Sequence, residues 1–560
     1  MAIVRLPAQV PIDDERYGGP ILYNPGGPGN SGTDAGLSGG QNLQTLYDAA
    51  YSYNSSTYVS ANPSAKYFDL IFFDNRGISN STPYYACTES PTQLRLKEYE
   101  LDYLKLEWPQ ENLDYLWQSG VSRYRGCTWD PVTNPKGSKI AKFASTAMVA
   151  RDIVELVERH GEWREKQARI LQQNGTNGNG ATDDRLRWVK GEEPIMLSGF
   201  SYGTILGATL AAMQPHRVKR FLLDGVGDSE AYYAGDIFPD LSDADAPVKK
   251  LFEYCALAGE KVCPLWNGET ASDTEARLQA IFDDFRANGS IPVPGSLESG
   301  LGPTLVTLSD VKIFLNTLMF DSRKSFPSVA ALLAPLTNRN GSAIARRKSA
   351  IYSPPIGFDN LPDAYDPMNP STAKDLYESQ FYMINGGDAT LRLTRDEFKD
   401  QVWKPLHDNV NGTSKWMADY QAGSWMFQYT WPDIFAWRFG DKTPVRSDVT
   451  ANPILWASSA HDGITSLSSA KSARERFKGS GLVISDGEAH SAAGSPSLCL
   501  AKVFRRYFQT GEVSDEEVVC TPTRRPFDLK PPLVKTETLL ADPTLEEKVL
   551  LELFVGIKMK

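Results

Sequence analysis

Residues 194–213 constrain this chain more than any other stretch. Pro194-Ile195-Met196-Leu197-Ser198 is a short apolar run that reads as a buried strand, and it enters Gly199-Phe200-Ser201-Tyr202-Gly203 directly. Behind that turn, Thr204 to Met213 is small, apolar and made of good helix formers, which suits a helix packed on a sheet. A strand that becomes a helix over so few residues, with glycines at both ends of the turn, holds its middle side chain out on a sharp, strained bend. The five-residue pattern is weak by itself, because Gly36-Leu37-Ser38-Gly39-Gly40 matches it too. That second copy reads as part of a glycine-rich loop with no strand ahead of it. Ser201 is therefore the candidate nucleophile.

Other segments carry the same punctuation. Pro20-Ile21-Leu22-Tyr23 is a short strand running into Asn24-Pro25-Gly26-Gly27-Pro28-Gly29-Asn30-Ser31-Gly32, a loop too rich in Gly and Pro to be regular. Phe68 to Phe73 is another strand, ending at Asp74-Asn75-Arg76-Gly77. Lys219–Leu223, Pro453–Trp456 and Gly481–Ile484 follow. Met1–Pro7 lacks the basic start and long apolar run of a signal peptide, and reads as a strand from the first residue. Between about 229 and 445 the texture changes to helical stretches such as Val248–Leu257 and Glu275–Ala287, separated by Pro/Gly loops. Aromatic residues cluster there at Trp403, Trp416, Trp425, Phe427, Tyr429, Trp431, Phe435 and Trp437. Parallel strands alternating with helices and broken by one long helical insertion predict an α/β fold with a cap. The expected division is residues 1–228 for the first part of the core, 229–445 for the cap, 446–526 for the rest of the core, and 527–560 for an extension. That extension contains the amphipathic stretch Leu545–Phe554, and Asn174–Asp184 reads as a polar surface loop.

A serine hydroxyl is a poor nucleophile until a base takes its proton, and the base needs a carboxylate to orient it. Only five histidines are available: His160, His216, His407, His461 and His490. Where a serine sits on a strand-to-helix elbow, the chain order is Ser, acid, His, with the His after the last strand. His490 follows the strand 481–484 and fits; His461 comes too early, and His160 and His216 fall on helical or turn segments. Asp462 stands just after the strand 453–456, the spacing of one strand–helix–strand crossover before His490, and is the expected acid. Asp486 is the rival, but it shares a loop with His490, where reaching Nδ1 at the right angle is difficult. The tetrahedral oxyanion needs N–H donors, typically one after the nucleophile and one from a glycine-rich loop. Tyr202 N–H is the first and Gly27 N–H the expected second, since Pro28 has no N–H to give.

Composition narrows the context. Across 560 residues the net charge is −11, and no stretch clusters Lys and Arg with interleaved aromatics, which argues against a nucleic-acid partner. No run approaches 18 apolar residues, so no membrane span is expected. The six cysteines contain no CxxC pair, so neither a zinc site nor a redox dithiol is expected, and nothing asks for a metal or cofactor. In sequence order they fall as Cys87 with Cys127, Cys255 with Cys263 and Cys499 with Cys520, though other pairings, or buried free thiols, fit as well. Sequons at Asn54, Asn80, Asn174, Asn288, Asn340 and Asn411 favour the secretory pathway over the cytoplasm.

Taken together, Asn24–Gly32, Asp74-Asn75-Arg76-Gly77, Gly199–Thr204, Leu223-Asp224-Gly225 and the stretch from Pro453 through Asp462, His490 and Cys499 to Cys520 resemble the tripeptidyl-aminopeptidase-like branch of the α/β-hydrolases, relatives of proline iminopeptidases. The resemblance implies the α/β-hydrolase fold, secretion, a helical cap, and release of short peptides from a free amino terminus. Departures exist: Gln428-Tyr429-Thr430-Trp431-Pro432 lacks the cysteine common there, and Asp462-Gly463-Ile464-Thr465-Ser466 lacks the usual Thr-Pro. Two other readings use the same residues. One is an esterase, lactonase or acyl-transferring enzyme with the aromatic residues lining an apolar pocket; the other is a non-catalytic binding protein.

Overall fold

The computed structural model describes residues 1–49, 64–86, 110–127, 139–173, 184–296, 301–352, 366, 368–372, 377–408, 414–417, 420, 427–439 and 444–529. Cys87, Trp425, residues 174–183 and the stretch Leu545–Phe554 lie outside them. The strands are β1 (Ile3–Leu6), β2 (Tyr17–Asn24), β3 (Tyr67–Phe73), β4 (Ile195–Phe200), β5 (Val218–Asp224), β6 (Ile291–Val293), β7 (Thr304–Val306), β8 (Ile454–Ser459), β9 (Gly481–Ser485) and β10 (Val518–Cys520). Eight of them form one sheet in the order β1-β3-β2-β4-β5-β8-β9-β10. All neighbours in it run parallel except β1, which lies antiparallel on β3. This is the doubly covered, mostly parallel sheet of an α/β-hydrolase.

The strands are apolar on both faces because helices cover both. β3 is buried at every position. Ile71 and Phe73 point, with Leu22, Leu197 and Leu223, into a core under α2 (Thr146–Gln173) and α3 (Tyr202–Met213). Their neighbours Leu70 and Phe72 join Ile21 and Tyr23 under α1 (Gly32–Tyr47) and the helix Leu498–Thr510. A carboxylate inside such a strand needs partners, and Asp69 has them. It accepts from Arg5, the Ala8 N–H, Tyr17 and His160, which straps the N-terminal segment across the sheet.

The glycine-rich segment Gly36–Gly40 is helical, inside α1, not a loop as its composition suggested. Gly36 and Gly40 serve close packing: a Cβ on either would fall 2.5 or 3.0 Å from the Phe72 ring. Ser38 is a helix-surface residue whose hydroxyl donates to the Asp34 and Ala35 carbonyls.

Between β5 and β8 the described residues fall into two parts rather than one uniform helical lid. The helices Ala246–Ala258, Ala271–Asn288, Leu308–Asn316 and Ser322–Leu333, with the β6–β7 ribbon, enclose a second hydrophobic core. Trp416 sits inside it, edge-on to Phe252 and Phe282 at 5.7 and 5.2 Å. The later part, including Tyr382–Ile384 and Phe427–Trp431, packs instead into the core shared with β4 and β5. Phe527, at the start of the expected extension, also joins the second core. Most of the aromatic cluster is interior: Trp403, Trp416, Phe427, Tyr429 and Trp431 are no more than 3% exposed. These rings fill cores and do not line an open apolar pocket. Among the described residues two disulfides are present, Cys255–Cys263 and Cys499–Cys520, the second tying β10 to the helix beside it.

Candidate active site

Ser201, Asp462, His490 and Gly27 each follow a sheet strand at its C-terminal end, after β4, β8, β9 and β2 respectively. Ser201 has φ 53° and ψ −121°, a left-handed conformation for a residue with a side chain. Such a conformation costs on the order of 1–3 kcal/mol and persists only where surrounding structure enforces it. Here the neighbours are glycines because nothing else fits. A Cβ on Gly199 would lie 2.5 Å from the Gly203 carbonyl oxygen, and one on Gly26 would lie 2.4 Å from the Phe200 oxygen and 2.9 Å from the Ser201 Cβ. The Gly-Pro loop therefore touches the serine turn directly.

That loop is shaped by side chains. Asn24 Oδ1 accepts the Gly26 N–H at 3.0 Å. Asp74 accepts from Ser31, from the Thr33 N–H and hydroxyl, and from the Asn80 N–H, so the Asp74–Gly77 turn anchors the far end of the loop. Tyr202 opens α3, so its N–H is among the four that a helix leaves without an internal partner. The N–H of Gly27 follows the one already taken by Asn24.

Asp462 is fully buried, and its carboxylate is saturated. It accepts from His490 Nδ1 at 2.9 and 3.1 Å, the Thr465 hydroxyl and N–H at 2.9 Å, the Ile464 N–H at 2.9 Å and the Ser491 N–H at 2.8 Å. Burial alone would raise its pKa, but the His490 charge and these hydrogen bonds hold it below the usual carboxylate value. For His490, burial works against the charged ring, yet Asp462 outweighs it and the pKa lies above the ordinary 6.5. Because Nδ1 donates to Asp462, Nε2 is left to accept a proton. Asp486 faces away, onto Arg525 at 2.6 Å, so the rival acid is occupied elsewhere. His160 pairs with Asp69, His216 lies in the turn Pro215–Arg217, and His407 ends the helix Lys404–His407.

The Ser201 turn and the His490 loop both lie against the end of β5. The Ser201 N–H donates to the Asp224 carbonyl at 2.9 Å. The Asp224 carboxylate accepts the N–H groups of Ala492 and Ala493 at 2.6 and 2.9 Å. A Cβ on the next residue, Gly225, would stand 3.3 Å from His490 Cε1. Asp224 therefore spaces the serine turn from the histidine loop, a role the sequence reading assigned to no residue. Its position at a strand end, like that of the other site residues, was the available signal. Burial pushes its carboxyl up to about 6, against the pull of the two N–H groups.

The insertion reaches the same loop. Met319 O accepts the His490 N–H at 2.5 Å, and the half-exposed Phe320 ring stands edge-on to the imidazole at 6.3 Å. Two residues before His490, the buried Glu488 accepts from Tyr254 and, at 2.6 Å, from Arg525. On the other side, Gly29 lies against the helix Tyr377–Asp388, whose Asp388 holds Thr146 at 2.6 Å, and Thr146 in turn meets the Tyr202 hydroxyl at 2.5 Å. Among the described residues, no group of His, Cys, Asp and Glu could hold a metal ion, and no helix is long and apolar enough to cross a membrane.

Comparison with known proteins gives the chain its relatives. Residues 428–520 match the family model of TAP-like proteins among the α/β-hydrolases. A tripeptidyl aminopeptidase of Streptomyces lividans is 24% identical over 532 residues, covering 91% of this chain and 78% of that protein. Its counterpart in Streptomyces coelicolor is 24% identical with 91% and 77% covered. Serine protease Hip1 of Mycobacterium tuberculosis is 25% identical over 232 residues, 41% of this chain and 33% of that protein.

Proposed function

Since the chain is a TAP-like α/β-hydrolase and a serine-peptidase-type hydrolase, we propose that Ser201, His490 and Asp462 are its catalytic triad and that it releases short peptides from free amino termini. The observation that carries this is the Asp462 carboxylate on His490 Nδ1, in a loop spaced by Asp224 from the strained Ser201 turn. In the reaction Ser201 Oγ attacks the acyl carbonyl while His490 Nε2 takes its proton. Asp462 keeps the imidazole in the right tautomer and stabilises the imidazolium. The N–H groups of Gly27 and Tyr202 hold the oxyanion, and His490 then gives its proton to the leaving amine. Water repeats the sequence on the acyl-enzyme. The disulfides Cys255–Cys263 and Cys499–Cys520 support work in an oxidising compartment outside the cytosol.

The test pairs a fluorophosphonate probe with a substrate panel. The parent protein is expected to be labelled and Ser201→Ala not. Tripeptide arylamides with a free amino group are expected to be cleaved, and their N-acetylated forms to be left intact. Labelling of Ser201→Ala would remove the triad. Hydrolysis of aryl esters without any amide cleavage would replace the peptidase by an esterase.

A further inference from the structure

At the end of the sheet remote from Ser201, the starts of β2, β3, β4 and β5 surround a cavity of about 460 Å³. Among the described residues, three cations on its wall, Lys66, Lys219 and Arg220, donate their side-chain hydrogen bonds only to carbonyl oxygens. Lys66 Nζ donates to Glu15 O at 2.8 Å and Lys219 Nζ to Gly18 O at 3.3 Å. Arg220 donates to the carbonyls of Lys219 and Thr510 at 2.6 and 2.9 Å, and its buried Nε has no partner. Among the described residues no carboxylate pairs with any of the three. Arg164, also on the wall, is already neutralised by Glu193 at 2.8 Å, and the remaining wall carboxylates, Glu15 and Glu192, are exposed to water. A chain with a net charge of −11 thus gathers unpaired positive charge around one hollow. Burial first, and then the neighbouring Arg220, Arg164 and Lys66, push the Lys219 amine down to about 8. A bound anion would relieve both pressures.

The size and the floor choose between an inorganic ion and a larger ligand. Cavities of roughly 300–1,000 Å³ hold small organic molecules, and this one falls in that range. Its floor is apolar, made by Phe68, Met196 and Phe508. We propose that the cavity binds a small organic carboxylate, with its acid group on Lys219 and its hydrocarbon body against Phe68, Met196 and Phe508. The site is distinct from the catalytic end, yet β4 joins them, starting at the cavity wall and ending at Ser201.

The test is calorimetry with 1-naphthoate on Ser201→Ala protein, which excludes turnover at the catalytic end. One saturable site is expected, with proton uptake visible as a dependence of the heat on buffer near pH 8 and weaker binding above it. Removing the cation by Lys219→Met in that background is expected to weaken binding about tenfold or more, since one charge-assisted contact is at stake. Lys219→Arg is expected to retain it, and neutral 1-naphthalenemethanol to bind about tenfold more weakly than the acid. The proposal is overturned by the absence of saturable binding, by a neutral analogue that binds as well as naphthoate, or by a folded Lys219→Met protein that binds unchanged. Displacement of naphthoate by an equal concentration of inorganic phosphate would also overturn it, leaving a simple ion site. The buffer and analogue comparisons use intact Lys219, so they decide the matter even if Lys219→Met does not fold.

Discussion

Around the sheet, the residues assigned to the chemistry hang from the ends of buried strands, whereas the helical insertion touches His490 through a carbonyl, Met319, and a ring, Phe320. The two regions are also held differently. The sheet secures its loops with dense local hydrogen bonding, as at Asp462 and Asp74, where one carboxylate collects several donors from nearby residues. The insertion has its own core and is fastened to the histidine loop by a buried charge cluster, Glu488 with Arg525 and Tyr254. The difference teaches that the chemical geometry is a property of the strand ends, and that the insertion governs how firmly one of those loops is seated.

Substitutions at the strand ends and at the fastening should therefore fail in different ways. Ser201→Ala and His490→Ala are each expected to lower kcat by about 10⁴–10⁶, without adding in the double variant, while unfolding in urea stays close to the parent. Arg525→Met leaves the Glu488 carboxylate buried with only the Tyr254 and Ser322 hydroxyls beside it and no cation, a loss of about 3–5 kcal/mol to be read in urea unfolding. A change below about 1 kcal/mol, within the range of a weak surface pair, would break the comparison. Asp224→Asn sharpens it, because Ala492 and Ala493 donate to separate carboxylate oxygens and an amide replaces one of these with an NH₂ donor. A stability loss of about 1–3 kcal/mol is expected, with a fall in kcat from displacement of the histidine loop. The mildest test is pH. Since His490 must be neutral to act as base and Asp462 holds its proton, the acid limb of kcat/KM is expected to have its midpoint above 6.5. A midpoint below that value would mean that Asp462 does not face the ring in solution.

Much of the catalytic end could be read from residues alone because its signals are local. A buried strand, a glycine pair and a following helix are contiguous at Ser201, and Asp462 and His490 each sit just beyond an apolar run. What escaped has no local pattern. Arg525 meets Glu488 across a stretch of intervening chain, and a buried ion pair leaves no periodicity behind. Gly36 and Gly40 carried the opposite meaning from the one composition suggested, since they let α1 lie against Phe72. β10 is only three residues long, too short for an alternating pattern to show. The aromatic cluster was visible, but a string of Trp and Tyr cannot say whether its rings fill a core or face a ligand; burial decided that.

The backbone at Ser201 has one more consequence, for how such a protein changes over generations. At φ 53° a glycine is at ease and a serine is not. Ser201→Gly is therefore expected to gain roughly 1 kcal/mol in urea unfolding while abolishing turnover. Stability alone would favour glycine at this position, so the serine there is accounted for by the chemistry proposed for it and not by the fold.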